Sequence, residues 1–262
     1  MLKNLQNEGN TGGCIYLIRE IPFPFEARLF SGFPAQRRLQ TLLSTDIFVK
    51  LLPMDLSNLI ISIPTILYAL TIHEYAHGWT ANKFGDPTAR LQGRLTLNPI
   101  AHIDILGALC FVFAHFGWGK PVPVNPNNFK NPRRDNVIVS FAGPASNFIS
   151  ALLFGVIFHF LREASFLPHN LLAFLINLFL TGIIINLSLA FFNMIPLYPL
   201  DGSHILEGLL PYPMAMKYKG IERYSSFILL GLILMGNFTH VSIIGLLLGP
   251  PIHYFLRLFA GL

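Results

Sequence analysis

Three stretches of this chain, at about 56–82, 137–161 and 170–200, run apolar for longer than a membrane crossing requires. A helix needs roughly 20 such residues to span a bilayer. The charge content agrees. Hydrophobic residues make up 53% of the 262 positions and Asp, Glu, Lys and Arg only 12%, about half the roughly 25% charged of a soluble domain. A soluble enzyme, a disordered chain and a nucleic-acid binder with a basic face are all excluded. A shorter apolar stretch at 103–118 falls below spanning length, and a C-terminal one at about 224–260 is interrupted by Asn237–His240. The expected fold is an all-α polytopic membrane protein. It is a bundle of about five to six transmembrane helices with a short membrane-associated extended or β element and a re-entrant segment.

The leader 1–53 differs from the rest, with six basic residues and the run IPFPF at 21–25. It lacks the continuous apolar core and small-residue cleavage site of a secretory signal. We read 1–53 as an N-terminal extension, poorly structured or not translated, and 54–262 as the functional domain. Two polar connections, GDPTARLQGRLTLNP at 85–99 and FGWGKPVPVNPNNFKNPRRD at 116–135, alternate in places and predict short extended pieces. Cys14 lies in the leader and Cys110 in an apolar run, so neither a disulfide nor a thiolate metal site is expected.

Residues 73–77 read HEYAH inside the first long apolar segment. On a helix, positions i and i+4 differ by about 40° around the axis, so His73 and His77 project from one face. Two imidazoles placed so can bind one zinc ion, with Glu74 beside them to take a proton from an activated water. Ionisable groups are costly in hydrocarbon and mark function there. The alternative is an interfacial cluster of satisfied polar residues.

A catalytic zinc wants three protein ligands and one open position. Asp201 is the candidate third ligand. It follows the run FNMIPLYPL, where Pro196 and Pro199 break the helix and Gly202 permits a close turn. Irregular chain carrying a carboxylate at membrane depth is tolerated where it lines a cavity. Alone, an Asp-Gly pair would be an ordinary turn. Glu163, Glu207 and Glu222 are weaker rivals for the third ligand. His102, Asp104 and His204 are candidates for orienting the ligands from behind.

HEYAH on an early helix, AGPASN at 142–147 and NMIPLYPLDG at 193–202 together resemble the site-2 protease family of intramembrane zinc metalloproteases. GDPTARLQGRLTLNPIAHID with KPVPVNP is similar to its small, minimal branch without PDZ or CBS domains. The resemblance covers about 54–210. It implies one zinc held by His73, His77 and Asp201, Glu74 as general base, and an extended piece that helps hold an unfolded substrate strand. It further implies that Asn147 and Asn193 contact the substrate or its developing oxyanion. An interhelical hydrogen bond is the alternative for either Asn.

His73 and His77 lie toward the end of their helix, and Asp201 is read as terminating its own. For these ends to meet, one of the two intervening apolar segments must fail to cross, and the short 103–118 is predicted to be re-entrant. The side bearing the site then holds Lys83, Arg90, Arg94, Lys120, Lys130, Arg133, Arg134, Lys217, Lys219 and Arg223, against Arg162 alone opposite. By the positive-inside rule the site faces the cytoplasm, in a multi-pass protein of the plasma membrane. The same topology sends the basic leader outside, which a start at Met54 would avoid.

The expected function is zinc-dependent hydrolysis of peptide bonds in or near transmembrane segments of membrane proteins. The partners are then such substrates and the lipid bilayer, with no nucleic acid. One rival is a membrane metal-binding protein or transporter using the same ligands. Another is a prenyl-protein-processing type of protease with a glutamate ligand.

Overall fold

The structure, a computed structural model, describes residues 56–114, 117–164, 166–239 and 242–261, and the leader 1–53 lies outside them. Helix α1 (Leu56–Lys83) carries HEYAH near its end, and the one-turn α2 (Thr88–Leu91) follows it. Next come α3 (Ile105–Ala114), α4 (Pro132–Arg162) and α5 (His169–Asn193). The chain ends with α6 (Asp201–Leu209), α7 (Tyr212–Lys219), α8 (Glu222–Thr239) and α9 (Ile243–Ala260). Three of these, α4, α5 and α9, are long and apolar enough to cross a membrane.

α4 starts ahead of its apolar run because its first turn is well made. Pro132 stands at the first helical position, where its missing N–H is not needed. Asp135 in that turn accepts the Asn131 N–H at 3.0 Å and offers negative charge to the positive end of the helix. The core lies where α4, α5 and α9 meet, with Phe158, Ile183, Leu187, Leu248, Ile252 and Leu256 all buried. Phe148 of α4 packs edge-on against Phe255 and Phe259 of α9, with ring centres 4.8 and 5.3 Å apart. α1 lies against α4 and α5, which brings HEYAH over the AGPASN turn.

Two expectations are corrected. Among the described residues no β-strand forms, and the extended element reduces to a single antiparallel bridge between Ile103 and Gly119. Pro121 and Pro123 have no N–H to give to a ladder. The Arg94 Nη2 occupies the carbonyls of Lys120 at 2.8 Å and Pro121 at 3.3 Å. Asp201 does not terminate the preceding helix either. α5 stops at Asn193, the Pro-rich run 194–200 turns the chain, and Asp201 opens a new helix, α6. A carboxylate is favoured at that end because the helix dipole is positive there.

The chain on either side of α3 comes together. Lys120 N–H donates to the His102 carbonyl at 2.9 Å, beside the Ile103–Gly119 bridge, so residues 102–103 and 119–120 sit together. Ten helical residues reach about 15 Å, half the hydrocarbon thickness.

Candidate active site

His73 and His77 stand one turn apart on α1 with their Nε2 atoms 3.0 Å from each other. Asp201 reaches them from α6, with Oδ2 3.1 Å from His73 Nε2 and Oδ1 3.3 Å from His77 Nε2. Among the described residues this is the one group of three such side chains whose ligand atoms all lie within 4.8 Å. Both histidines are buried.

The outer nitrogens decide what the inner ones do. His73 Nδ1 lies 2.6 Å from Asn147 Oδ1, and His77 Nδ1 lies 2.7 Å from the Val139 carbonyl. Both partners are acceptors, so each Nδ1 carries the proton and each Nε2 presents a bare lone pair. Asp201 Oδ2 is buried and finds no hydrogen-bond donor. Converging lone pairs with no proton between them repel one another unless a cation sits among them. The separations also fit the roughly 3.3 Å edge of a tetrahedron with zinc–ligand bonds of about 2.0–2.1 Å. The donor set is therefore compatible with zinc.

The AGPASN turn of α4 forms the floor of the cluster. A Cβ on Gly143 would lie 2.3 Å from His77 Nε2 and 2.7 Å from His73 Cε1, so only glycine lets α4 approach the rings this closely. Pro144 removes an N–H from the α4 ladder one residue later, and in this turn the Val139 carbonyl accepts from His77.

Asn147 is fully buried behind His73. Its Nδ2 donates to the Ala69 carbonyl at 2.9 Å and to Asn186 Oδ1 at 3.0 Å. Asn186 of α5, also fully buried, anchors its own Nδ2 on the Gly182 carbonyl at 2.9 Å. Here the Asn147 amide orients a histidine from behind. Groups in this position typically change metal affinity 10–100-fold. Asn186→Ala is expected to weaken zinc binding by about tenfold or more while the helices remain formed. Competition with a chromophoric chelator measures the affinity and circular dichroism the helix content.

The cluster opens on a cavity of about 680 Å³. Glu74, Asn193 and His204 line it, together with Val122, Val124, Tyr198, Glu207 and Met216. Asn193 donates to the Leu189 carbonyl at 3.0 Å, and His204 meets Tyr198 edge-on with ring centres 5.4 Å apart. Glu74 Oε2 accepts the Val122 N–H at 2.7 Å. Glu207 is engaged elsewhere, accepting from the Tyr198 hydroxyl at 2.7 Å. His102 and Asp104 bond to other partners than the cluster. His102 Nε2 pairs with the Thr96 carbonyl at 2.9 Å, and Asp104 caps α3 by accepting the Gly107 N–H at 2.8 Å.

Sequence reasoning missed Asn186 and Gly143. Asn186 sits in the apolar run GIIINLSLA, and the argument from polar residues in hydrocarbon that singled out HEYAH applies equally to it.

Residues 61–235 match peptidase family M50. YwhC of Bacillus subtilis, provisionally named a zinc metalloprotease, is 44% identical over 169 residues, 63% of this chain and 76% of its own length. Rip2 of Mycolicibacterium smegmatis, with the same provisional description, is 35% identical over 146 residues, 54% of each chain. Rip2 of Mycobacterium tuberculosis is 32% identical over 151 residues, again 54% of each. The chain thus spans about half the length of the Rip2 relatives. No solved structure matches it. A family match that runs from α1 through Asp201 and beyond agrees with the motifs and with the cluster they build: the chain belongs to peptidase family M50, the site-2 protease family its sequence resembles.

Proposed function

We propose that this chain is a zinc-dependent intramembrane endopeptidase, holding one zinc and cutting peptide bonds in or near the transmembrane segments of other membrane proteins. The observation that carries the reading is the placement of Glu74. Its carboxylate lines the same cavity as the buried His73–His77–Asp201 cluster, so base and metal ligands face one reacting space.

A zinc held by His73, His77 and Asp201 supplies the Lewis acidity that polarises a scissile carbonyl and lowers the pKa of water toward about 7. Glu74 accepts the proton of the attacking water and delivers it to the leaving amine. Asn147 and the Val139 carbonyl hold the imidazole protons at Nδ1, which keeps both Nε2 atoms free for the metal. Asn193 and His204 stand on the cavity wall, where Asn193 can meet the substrate or its developing oxyanion. A helix buries its own carbonyls in hydrogen bonds, so a substrate segment must unwind before attack. Helix-breaking residues in the substrate favour this.

In the membrane, α1 and α8 join the three apolar helices as crossings, and the α3 excursion dips in and returns on the same side. The site then opens to the cytoplasm, because beyond the leader 1–53 the loops on its side carry ten basic residues against Arg162 alone on the other. The plasma membrane is the proposed location.

The test is metal removal from protein in lipid bilayers, with a single-span substrate bearing a Gly-Pro pair. Dialysis against a chelator is expected to remove about one zinc per chain and all cleavage, and one equivalent of zinc to restore both. Cleavage that survives complete zinc removal would overturn the reading. So would full zinc occupancy with no cleavage across a panel of substrates, which would favour a metal carrier.

A further inference from the structure

The run GDPT at 85–88 contributes nothing to the metal cluster, yet it contains a fully buried carboxylate. Asp86 accepts the Asn125 N–H at 2.7 Å, Asn128 Nδ2 at 2.7 Å, the Thr88 N–H at 3.1 Å and the Thr88 hydroxyl. Burial by itself would raise its pKa, but the bonds from Thr88, Asn125 and Asn128 outweigh this and hold the carboxyl below the usual range. A buried charge is tolerable when its lone pairs are filled in this way.

Those bonds reach a particular piece of chain. Asp86 lies three residues beyond the end of α1, and Asn125 closes the extended stretch 120–125. At the other end Lys120 N–H is held by the His102 carbonyl at 2.9 Å. Between them Val122 N–H donates to Glu74 Oε2 at 2.7 Å. Pro121 and Pro123 have no N–H, so Val122 is the one residue of that triplet able to donate. The stretch therefore lies as a strap along the catalytic helix and its exit. Two of its amides are spent on two carboxylates, Glu74 and Asp86. Glu74, held in this way through Oε2, also lines the cavity.

We propose that the strap Lys120–Asn125 positions the general base: the Val122 amide fixes the Glu74 carboxylate, and Asp86 sets the register of Val122 through Asn125. Asp86 is thus a positioning residue, acting on Glu74 across the strap. The catalytic part rests on the peptidase reading above, whereas the strap itself can be tested without any turnover.

Two measurements test it. Val122→Pro removes the amide and keeps apolar bulk in an extended backbone, while Val122→Ala keeps the amide and removes bulk. Small displacements of a catalytic group can cost up to about 100-fold in rate. Val122→Pro and Asp86→Asn are therefore expected to lower kcat by about 10–100-fold, with KM within about threefold and zinc affinity unchanged. Val122→Ala is expected to lose at least about tenfold less than Val122→Pro. Equal losses in the two Val122 variants would overturn the proposal, because packing would then explain both. A rise in KM at constant kcat would do so too.

The second measurement is amide hydrogen exchange on the intact protein in bilayers. The Val122 amide is expected to exchange slowly in the wild type and measurably faster in Glu74→Ala and Asp86→Asn. Unchanged exchange at Val122 would sink the strap even if the protein proves to be a peptidase. Faster exchange in a protein that cuts nothing would retain the strap and dismiss the peptidase reading. Should Asp86→Asn fail to fold, Glu74→Ala and the Val122 pair decide the matter.

Discussion

Gly143→Ala is expected to abolish zinc binding and cleavage together. The added methyl would lie 2.3 Å from His77 Nε2, 2.6 Å from His77 Cε1 and 2.7 Å from His73 Cε1, inside van der Waals contact with all three atoms. The rings cannot retreat, because His73 is tied to Asn147 and His77 to the Val139 carbonyl through their outer nitrogens. Either α4 must withdraw from α1 or the imidazoles must turn away from Asp201, and both dissolve the cluster. Helix propensity works in the opposite direction. Glycine in a helix interior is less favourable than alanine by about 0.5–1 kcal/mol, so the backbone of α4 gains from the change. The expected result is a protein of normal helix content with zinc affinity reduced more than about 100-fold, beyond the roughly 10–100-fold that loss of a hydrogen bond behind a ligand costs. Metal analysis after gel filtration, beside circular dichroism, checks it. One tightly held zinc in the variant would show that the rings sit farther from α4 than the structure places them.

Glu74→Gln is expected to separate the metal from the chemistry. The amide oxygen of Gln can still accept the Val122 N–H that Glu74 Oε2 accepts at 2.7 Å, so the strap and the α1 face stay in place. None of the three ligands is touched. What is lost is the ability to take a proton. General-base contributions are typically worth 10²–10⁴ in rate, and cleavage should fall by at least about 100-fold with zinc content unchanged. Zinc stoichiometry and turnover measured on one preparation decide it. A carrier that uses the same ligands without hydrolysis would show wild-type transport in this variant.

Much of the site was legible in the sequence because its parts are local. The helical period of 3.6 puts His73 and His77 on one face wherever α1 forms. Prolines at 196 and 199 interrupt a helix whatever surrounds them. Length and apolarity alone picked out α4 and α5, which are long and apolar enough to cross a membrane. A two-residue alternation around 121–124 misled, since it describes extended backbone but carries no information on who pairs with it. With two prolines and with Arg94 on the carbonyls, that backbone had no ladder to join.

The sequence by itself thus determined the membrane class, the placing of His73 and His77 on one helical face beside Glu74, and the break ahead of Asp201. The tertiary structure decided the rest. Gly143 became indispensable only when α4 was laid against the two imidazoles. Asn147 and Asn186 became the support of His73 only when α1, α4 and α5 met. Glu74 and Asp86 came to hold one strap, at Val122 and Asn125, only after the loops folded back on α1. These roles depend on atoms 39 to 78 residues apart coming within 3.0 Å. Local preference acts over a few residues along the chain, whereas a hydrogen bond or a steric limit acts between whichever atoms the packing brings together.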